Sequence, residues 1–209
     1  MDGHYPTNQL VNPLMTDLYQ ITMAYAYWKS NRHNDRAVFE LFFRKNPFKG
    51  EYTIFCGLDE VLKHLCSFKF KPDDIEYLRN CPALTHCDPA FFDEYLAALD
   101  CSEVKLYAAS QGRMMFPRVP LLIVVAPLGI GQLLETTLLS LTNFPSLVAT
   151  NAARMVVAAK GLNELGHHEE MEYEQDALAR KRRNKDDPKI AITLAEFGLR
   201  RAQGPDGGK

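Results

Sequence analysis

The run VPLLIVVAPLGIG, from Val119 to Gly131, restricts the fold more than any other stretch of the chain. Pro120–Pro127 is apolar on both faces, which is the pattern of a strand buried within a sheet. Prolines and glycines interrupt the run, and it is too short to cross a bilayer as a helix. The rest of the chain alternates strand-like and helix-like segments, so the expected class is α/β.

Three further segments read as strands. AVFELFFRK places Phe39, Leu41 and Phe43 on one face. After a turn in NPFKG, EYTIFCG reads as a second strand, and the two are expected to form a hairpin with a long loop. VKLYAA, Val104–Ala109, is the third. IAITLAEFGLRRA resumes the alternation near the end, with Ile190, Ile192 and Leu194 on one face.

The helical segments are equally marked. In MTDLYQITMAYAYWKS, Thr16 or Asp17 can cap a helix whose buried stripe is Leu18, Ile21, Tyr25 and Trp28. Tyr19 lies about 100° round that helix from Leu18 and so falls off the stripe. GLDEVLKHL offers Leu58, Val61, Leu62 and Leu65. Pro72 and two aspartates open a short helix, and Asp88 with Pro89 opens another that presents Phe91, Phe92, Tyr95, Leu96 and Leu99. From Gly131 the stripe is Leu133, Leu134, Thr137, Leu138 and Leu141. Pro145 is expected to kink or break this helix, and a second one follows to Gly161.

Composition narrows the function. At 209 residues, 46% hydrophobic and with a net charge of −2, the chain can bury a sizeable core but gives no electrostatic case for nucleic acid or membrane binding. The polar N-terminus shows no secretory signal, and five cysteines without a CxxC pair are expected to be reduced thiols in the cytosol. Cys81, His86 and Cys87 match no standard zinc spacing. The expected organisation is a disordered leader over 1–13, an N-terminal α/β domain over 14–126, and a second domain over 127–209. Within the latter, 163–189 carries eight acidic and six basic side chains and reads as a solvated or disordered insert.

Chemistry is suggested by FGLRRAQGPDGGK. At a strand end, Arg200 and Arg201 point to opposite faces, so one guanidinium can face a site beyond the strand. The glycines let backbone N–H groups approach an anion, and Phe197 could add a flat apolar surface. Neither GxxxxGK[ST] nor GxGxxG is present, and no Ser–His–Asp or Cys–His set assembles. From spacing alone, Arg200 could equally be a solvated turn residue, Tyr19 a packing tyrosine, Arg44 a sheet-edge charge and Asp17 a helix cap.

Five stretches together are more specific: NPLMTDLYQITMAYAYW, FELFFRKNPFKG, FPRVPLLIVVAPLGIGQLLETTLLSLTNF, SLVATNAARMVVAAKG and EFGLRRAQGPDGG. In this order they resemble nicotinate phosphoribosyltransferase, a type II phosphoribosyltransferase with a split N-terminal α/β domain and an irregular β/α barrel, working as a homodimer. The resemblance implies that nicotinate and 5-phosphoribosyl 1-diphosphate are joined to nicotinate mononucleotide, with ATP hydrolysis coupled and magnesium required. It implies a ring stacked between Tyr19 and Phe197, with Arg200 by the ring and ribose phosphate. It also implies that Arg44 reaches the substrate phosphate, often across the dimer interface, with Asp17 beside the tyrosine. Two departures are expected to matter. The family joins the NAAR helix to the EFGLRR strand by a short connection, and its barrel continues past GPDGG with the phosphorylated histidine and further ligands. The chain is therefore expected to hold an incomplete barrel and to have no turnover alone, or to act as a non-catalytic partner of a full-length subunit.

Overall fold

The structure is a computed structural model that describes residues 5–159 and 193–195. The chain divides into two compact units, Met1–Thr150 and Asn151–Lys209. The expected insert 163–189, Phe197, Arg200, and the strand and barrel start expected near them lie outside the described residues, apart from the short stretch 193–195.

The first unit mixes helices and strands, as its sequence pattern implies. A three-stranded antiparallel sheet has the order β1 (Arg36–Leu41), β5 (Leu122–Pro127), β3 (Lys105–Ala108). The apolar strand β5 is central: Val38 pairs with Val125 on one side, and Lys105 with Val125 on the other. Leu122, Val124 and Ala126 are buried, as a core strand requires. The opposite face is more open, with Val38 63% and Tyr107 60% exposed, so only one face of β5 is fully packed among the described residues.

The expected hairpin between the first two strands does not form. β2 (Thr53–Ile54) belongs to a separate two-stranded sheet with β4 (Met114–Met115). A 3-10 turn over Pro47–Lys49 redirects the chain after β1. β1 instead gains six register positions along the apolar β5, where Phe39 and Leu41 reach the core.

Helix α1 (Leu18–Lys29) buries Gln20, Ile21 and Ala24, while Leu18 stays half exposed. Of the expected stripe, Ile21 is buried and Tyr25 and Trp28 pack against the core, so only Leu18 departs from it, and Gln20 is buried in addition. In α2 (Leu58–Ser67), Leu58 and Leu65 of the expected stripe pack against the core and one position departs. Val61 and His64 are buried and Leu62 is exposed, because positions 61, 64 and 68 face the core. Helix α3 (Pro72–Asn80) follows as expected. The segment opened by Asp88 and Pro89 contains a π-helical stretch, Phe91–Leu96, in which Phe91 stacks on Tyr95 with centroids 5.7 Å apart. Phe91, Phe92 and Leu96 are core residues. In the stretch read as a leader, Thr7 binds Glu60 of α2 through its N–H at 2.8 Å and its hydroxyl at 2.6 Å.

Helix α4 (Leu128–Leu133) leaves β5 directly, three residues before the sequence pattern turns helical. Its first N–H groups are satisfied by the loop before β1: Leu128 donates to Asp35 O at 2.8 Å and Gly129 to His33 O at 2.9 Å. A Cβ on Gly131 would lie 2.4 Å from the Phe39 ring, so a larger residue would have to push that ring aside for α4 to settle this closely on β1.

Helix α5 (Glu135–Ala159) runs unbroken through Pro145, so the break expected as one outcome there does not occur. The proline removes one N–H, leaving Leu141 C=O without its usual partner four residues on. That oxygen faces Gly57, where an added Cβ would lie 2.1 Å from it. Side chains on the same helix recover other bonds. Ser146 Oγ accepts from Cys56 N at 3.0 Å, and Thr150 Oγ1 accepts from Ile54 N at 2.9 Å. A stripe of small hydroxyl residues, Thr142, Ser146 and Thr150, is buried and lets the β2 backbone lie against the helix. Among the described residues, no helix is long and apolar enough to cross a membrane.

Candidate functional site

The start of α1, the end of α4 and the start of α5 meet through one side chain. Asp17 stands at the N-cap of α1, and Gln20 lies three residues on, fully buried. Gln20 Oε1 accepts from Asp17 N at 3.0 Å, from Thr136 Oγ1 at 2.9 Å and from the Thr16 hydroxyl. Its Nε2 donates to Gln132 O at 2.8 Å. A buried amide with both ends engaged is held in one orientation.

Tyr19 projects beside this junction. It is 46% exposed, and its hydroxyl donates to Glu135 Oε2 at 2.8 Å. That hydrogen bond, then partial burial and the charges of Glu135 and Asp17, push its pKa up to about 12. At neutral pH the phenol is therefore a fixed donor rather than a proton shuttle. What it offers a ligand is an apolar ring with its hydroxyl end tied down. Asp17 is tied to the same helix start, because its Oδ2 lies 2.5 Å from Thr136 Oγ1, whose one hydroxyl hydrogen it shares with Gln20 Oε1. The expectation that Tyr19 leaves the buried stripe holds, and Asp17 does stand at the helix start.

Arg44 lies beyond β1, exposed, where Arg118 N donates to Phe43 O at 2.8 Å. Among the described residues, no hydrogen bond or ion pair joins it to Tyr19 or Asp17. Phe197 and Arg200 lie outside the described residues, so their relation to Tyr19 is not part of this geometry. An open groove of about 890 Å³, lined by Lys69, Lys71, Glu76, Arg79 and Asp93 among others, contains none of these residues.

Sequence reading missed Gln20, Gln132, Glu135 and Thr136. One signal was available: Asp17-x-x-Gln20 is a capping-box pattern, which marks Gln20 as facing back toward the helix start. Nothing local marks Glu135, since its partner lies 116 positions away in sequence.

Comparison with known proteins identifies the scaffold. Residues 14–143 match the nicotinate phosphoribosyltransferase N-terminal domain, a span that includes Asp17, Tyr19, Arg44 and Glu135. The chain is 49% identical to nicotinate phosphoribosyltransferase 2 of Arabidopsis thaliana, covering 99% of this chain and 31% of that protein. It is 46% identical to nicotinate phosphoribosyltransferase of Homo sapiens, covering 94% of this chain and 31% of the relative. The crystal structure of human nicotinic acid phosphoribosyltransferase superposes with a TM-score of 0.68 at 43% identity, over 92% of this chain and 32% of that one. The chain thus spans about a third of the length of these relatives. With more than half its length matched, the chain belongs to the nicotinate phosphoribosyltransferase family, and its first unit is built as that family's N-terminal α/β domain.

Proposed function

We propose that this chain carries the pyridine-binding part of a nicotinate phosphoribosyltransferase acting in NAD biosynthesis. In the reaction, the ring nitrogen of nicotinate attacks the anomeric carbon of 5-phosphoribosyl 1-diphosphate. The carbon–oxygen bond to diphosphate breaks, and nicotinate mononucleotide and diphosphate result. Tyr19 stacks on one face of the ring and Phe197 on the other. Arg200 holds the ring and ribose phosphate, Arg44 reaches the substrate phosphate across a homodimer interface, and Asp17 flanks the tyrosine. Catalysis on this reading is chiefly positional and electrostatic, through cations placed where negative charge gathers on the leaving diphosphate. The working protein is read as a cytosolic homodimer.

The observation that supports this most is the state of Tyr19: off the buried stripe, half exposed, and anchored by its hydroxyl. ATP and magnesium belong to the proposed reaction. Among the described residues, no group of three His, Cys, Asp or Glu side chains is gathered to hold a metal. No residue here is therefore assigned to magnesium, and no step is routed through it.

The test uses the full chain alone and mixed with a full-length relative inactivated at the position aligned with Tyr19. Nicotinate mononucleotide is measured with nicotinate, 5-phosphoribosyl 1-diphosphate, ATP and magnesium supplied. The wild-type chain should restore product formation in the mixture, and Tyr19→Ala should not. Equal behaviour of the two chains would overturn the proposal.

A further inference from the structure

Glu135 opens α5, and a single oxygen of its carboxylate collects three donors. Tyr19 OH reaches Oε2 at 2.8 Å, Gln132 Nε2 at 3.3 Å and Gln20 Nε2 at 3.4 Å. The two amides form a rigid floor. Gln20 is 0% and Gln132 6% exposed, and Gln20 is bonded at both ends to three separate segments. The carboxylate rests on that floor, and the hydroxyl of an otherwise exposed tyrosine rests on the carboxylate.

A free surface side chain must be ordered when a ligand binds, which weakens binding; one held beforehand avoids that loss. We propose that Glu135 is a positioning residue, which holds Tyr19 as a preformed stacking platform and occupies its hydroxyl, so that Tyr19 meets an aromatic ligand by its ring face alone. This deepens the proposed function and rests on its reading of Tyr19 as a ring-stacking residue. A consequence for orientation follows. The hydroxyl, already donating to Glu135, is not a donor for an acidic substituent on the ligand ring. Glu135 and Asp17 both place negative charge at this edge, so such a substituent points away from it.

The test follows Tyr19 directly, in the full chain with carbon-labelled tyrosine, by magnetic-resonance titration of the phenol. Nicotinate affinity is measured beside it by calorimetry. In the wild type, Tyr19 should titrate near 12, above the ordinary 10. Glu135→Ala should bring it back toward the ordinary range and weaken nicotinate about three- to tenfold, as Tyr19→Ala does. Glu135→Gln keeps an acceptor for the hydroxyl and should hold affinity within about twofold of wild type. An unchanged Tyr19 titration in Glu135→Ala would overturn the positioning role. So would full nicotinate affinity in that variant while Tyr19→Ala loses it. If Tyr19→Ala itself binds nicotinate as well as wild type, the ring-stacking reading fails instead. The titration then decides the Glu135–Tyr19 contact separately.

Discussion

Replacing Gly57 by alanine should destabilise the chain through two separable effects. Gly57 adopts φ +100°, a left-handed conformation that costs an L residue roughly 1–2 kcal/mol. Its new Cβ would also stand 2.1 Å from the Leu141 carbonyl oxygen and 3.1 Å from that carbonyl carbon. Both are backbone atoms of α5, so no flexible side chain can turn aside. Forcing the helix and the start of α2 apart should add about 1–3 kcal/mol, for a sum of roughly 2–5 kcal/mol. The N–H of residue 57, which donates to Gln111 Oε1 at 2.9 Å, survives in the variant and does not contribute. Gly112 supplies the control. It too has a positive φ, +77°, but nothing lies within 4 Å of where its Cβ would stand. Gly112→Ala should therefore show only the conformational cost. Urea unfolding followed by circular dichroism separates the two, with the larger drop in midpoint for Gly57→Ala at unchanged slope. In thermal unfolding, each kcal/mol should move the midpoint about 2–4 °C. Equal shifts for the two variants would refute the claim that the Gly57–Leu141 approach constrains the fold.

Other expectations follow from the same structure. Ser146→Ala removes the acceptor for Cys56 N and should cost about 1–2 kcal/mol in urea unfolding, with Thr150→Val costing a similar amount through Ile54 N. His64 is 1% exposed with Nε2 unpartnered among the described residues, and burial pushes its pKa from the ordinary 6.5 down to about 4. Its folded-state pKa is depressed, so in the window from about 6.5 down to 4 the unfolded chain binds the extra proton. Stability is complete above that window and falls by about 3 kcal/mol across it. His64→Leu should flatten that part of the stability–pH curve. Among the five cysteines, the exposed Cys66 should be alkylated first at neutral pH. Cys101, its thiol pushed up to about 12 by burial, should react far more slowly, as mass spectrometry of the labelled chain would show.

The elements of the fold were legible where hydrophobic period was strong. β5, the core residues Phe91, Phe92 and Leu96, and the stripe Leu133, Leu134, Thr137 and Leu138 all follow from spacing. Partnership was less legible. β1 and β2 are adjacent in sequence, and only the long ladder available on β5 separates them into different sheets. Leu18 and Leu62 fit the apolar spacing yet stay exposed. The inward faces also carry Gln20 and His64, polar groups whose burial depends on packing partners far along the chain. Pro145 reads as a helix breaker because its missing bond is local, while the packing of α5 against the 54–56 backbone through Ser146 and Thr150 is not. At the candidate site, Tyr19 and Asp17 were legible from helical phase and capping chemistry. The Glu135 contact was not, since helical phase says nothing of a residue on another helix.

The junction between α4 and α5 consists of Leu134 alone, buried, with helical backbone angles. There is no slack in it. One residue added there would turn everything that follows by about 100° relative to α4. Glu135 would leave Tyr19 and Thr136 would leave Asp17 in the same motion, although no side chain had been altered. A substitution can be judged by what it removes from a ring platform of this kind, but an insertion cannot. The count of residues at this turn is as much a determinant of the platform as the tyrosine that forms it.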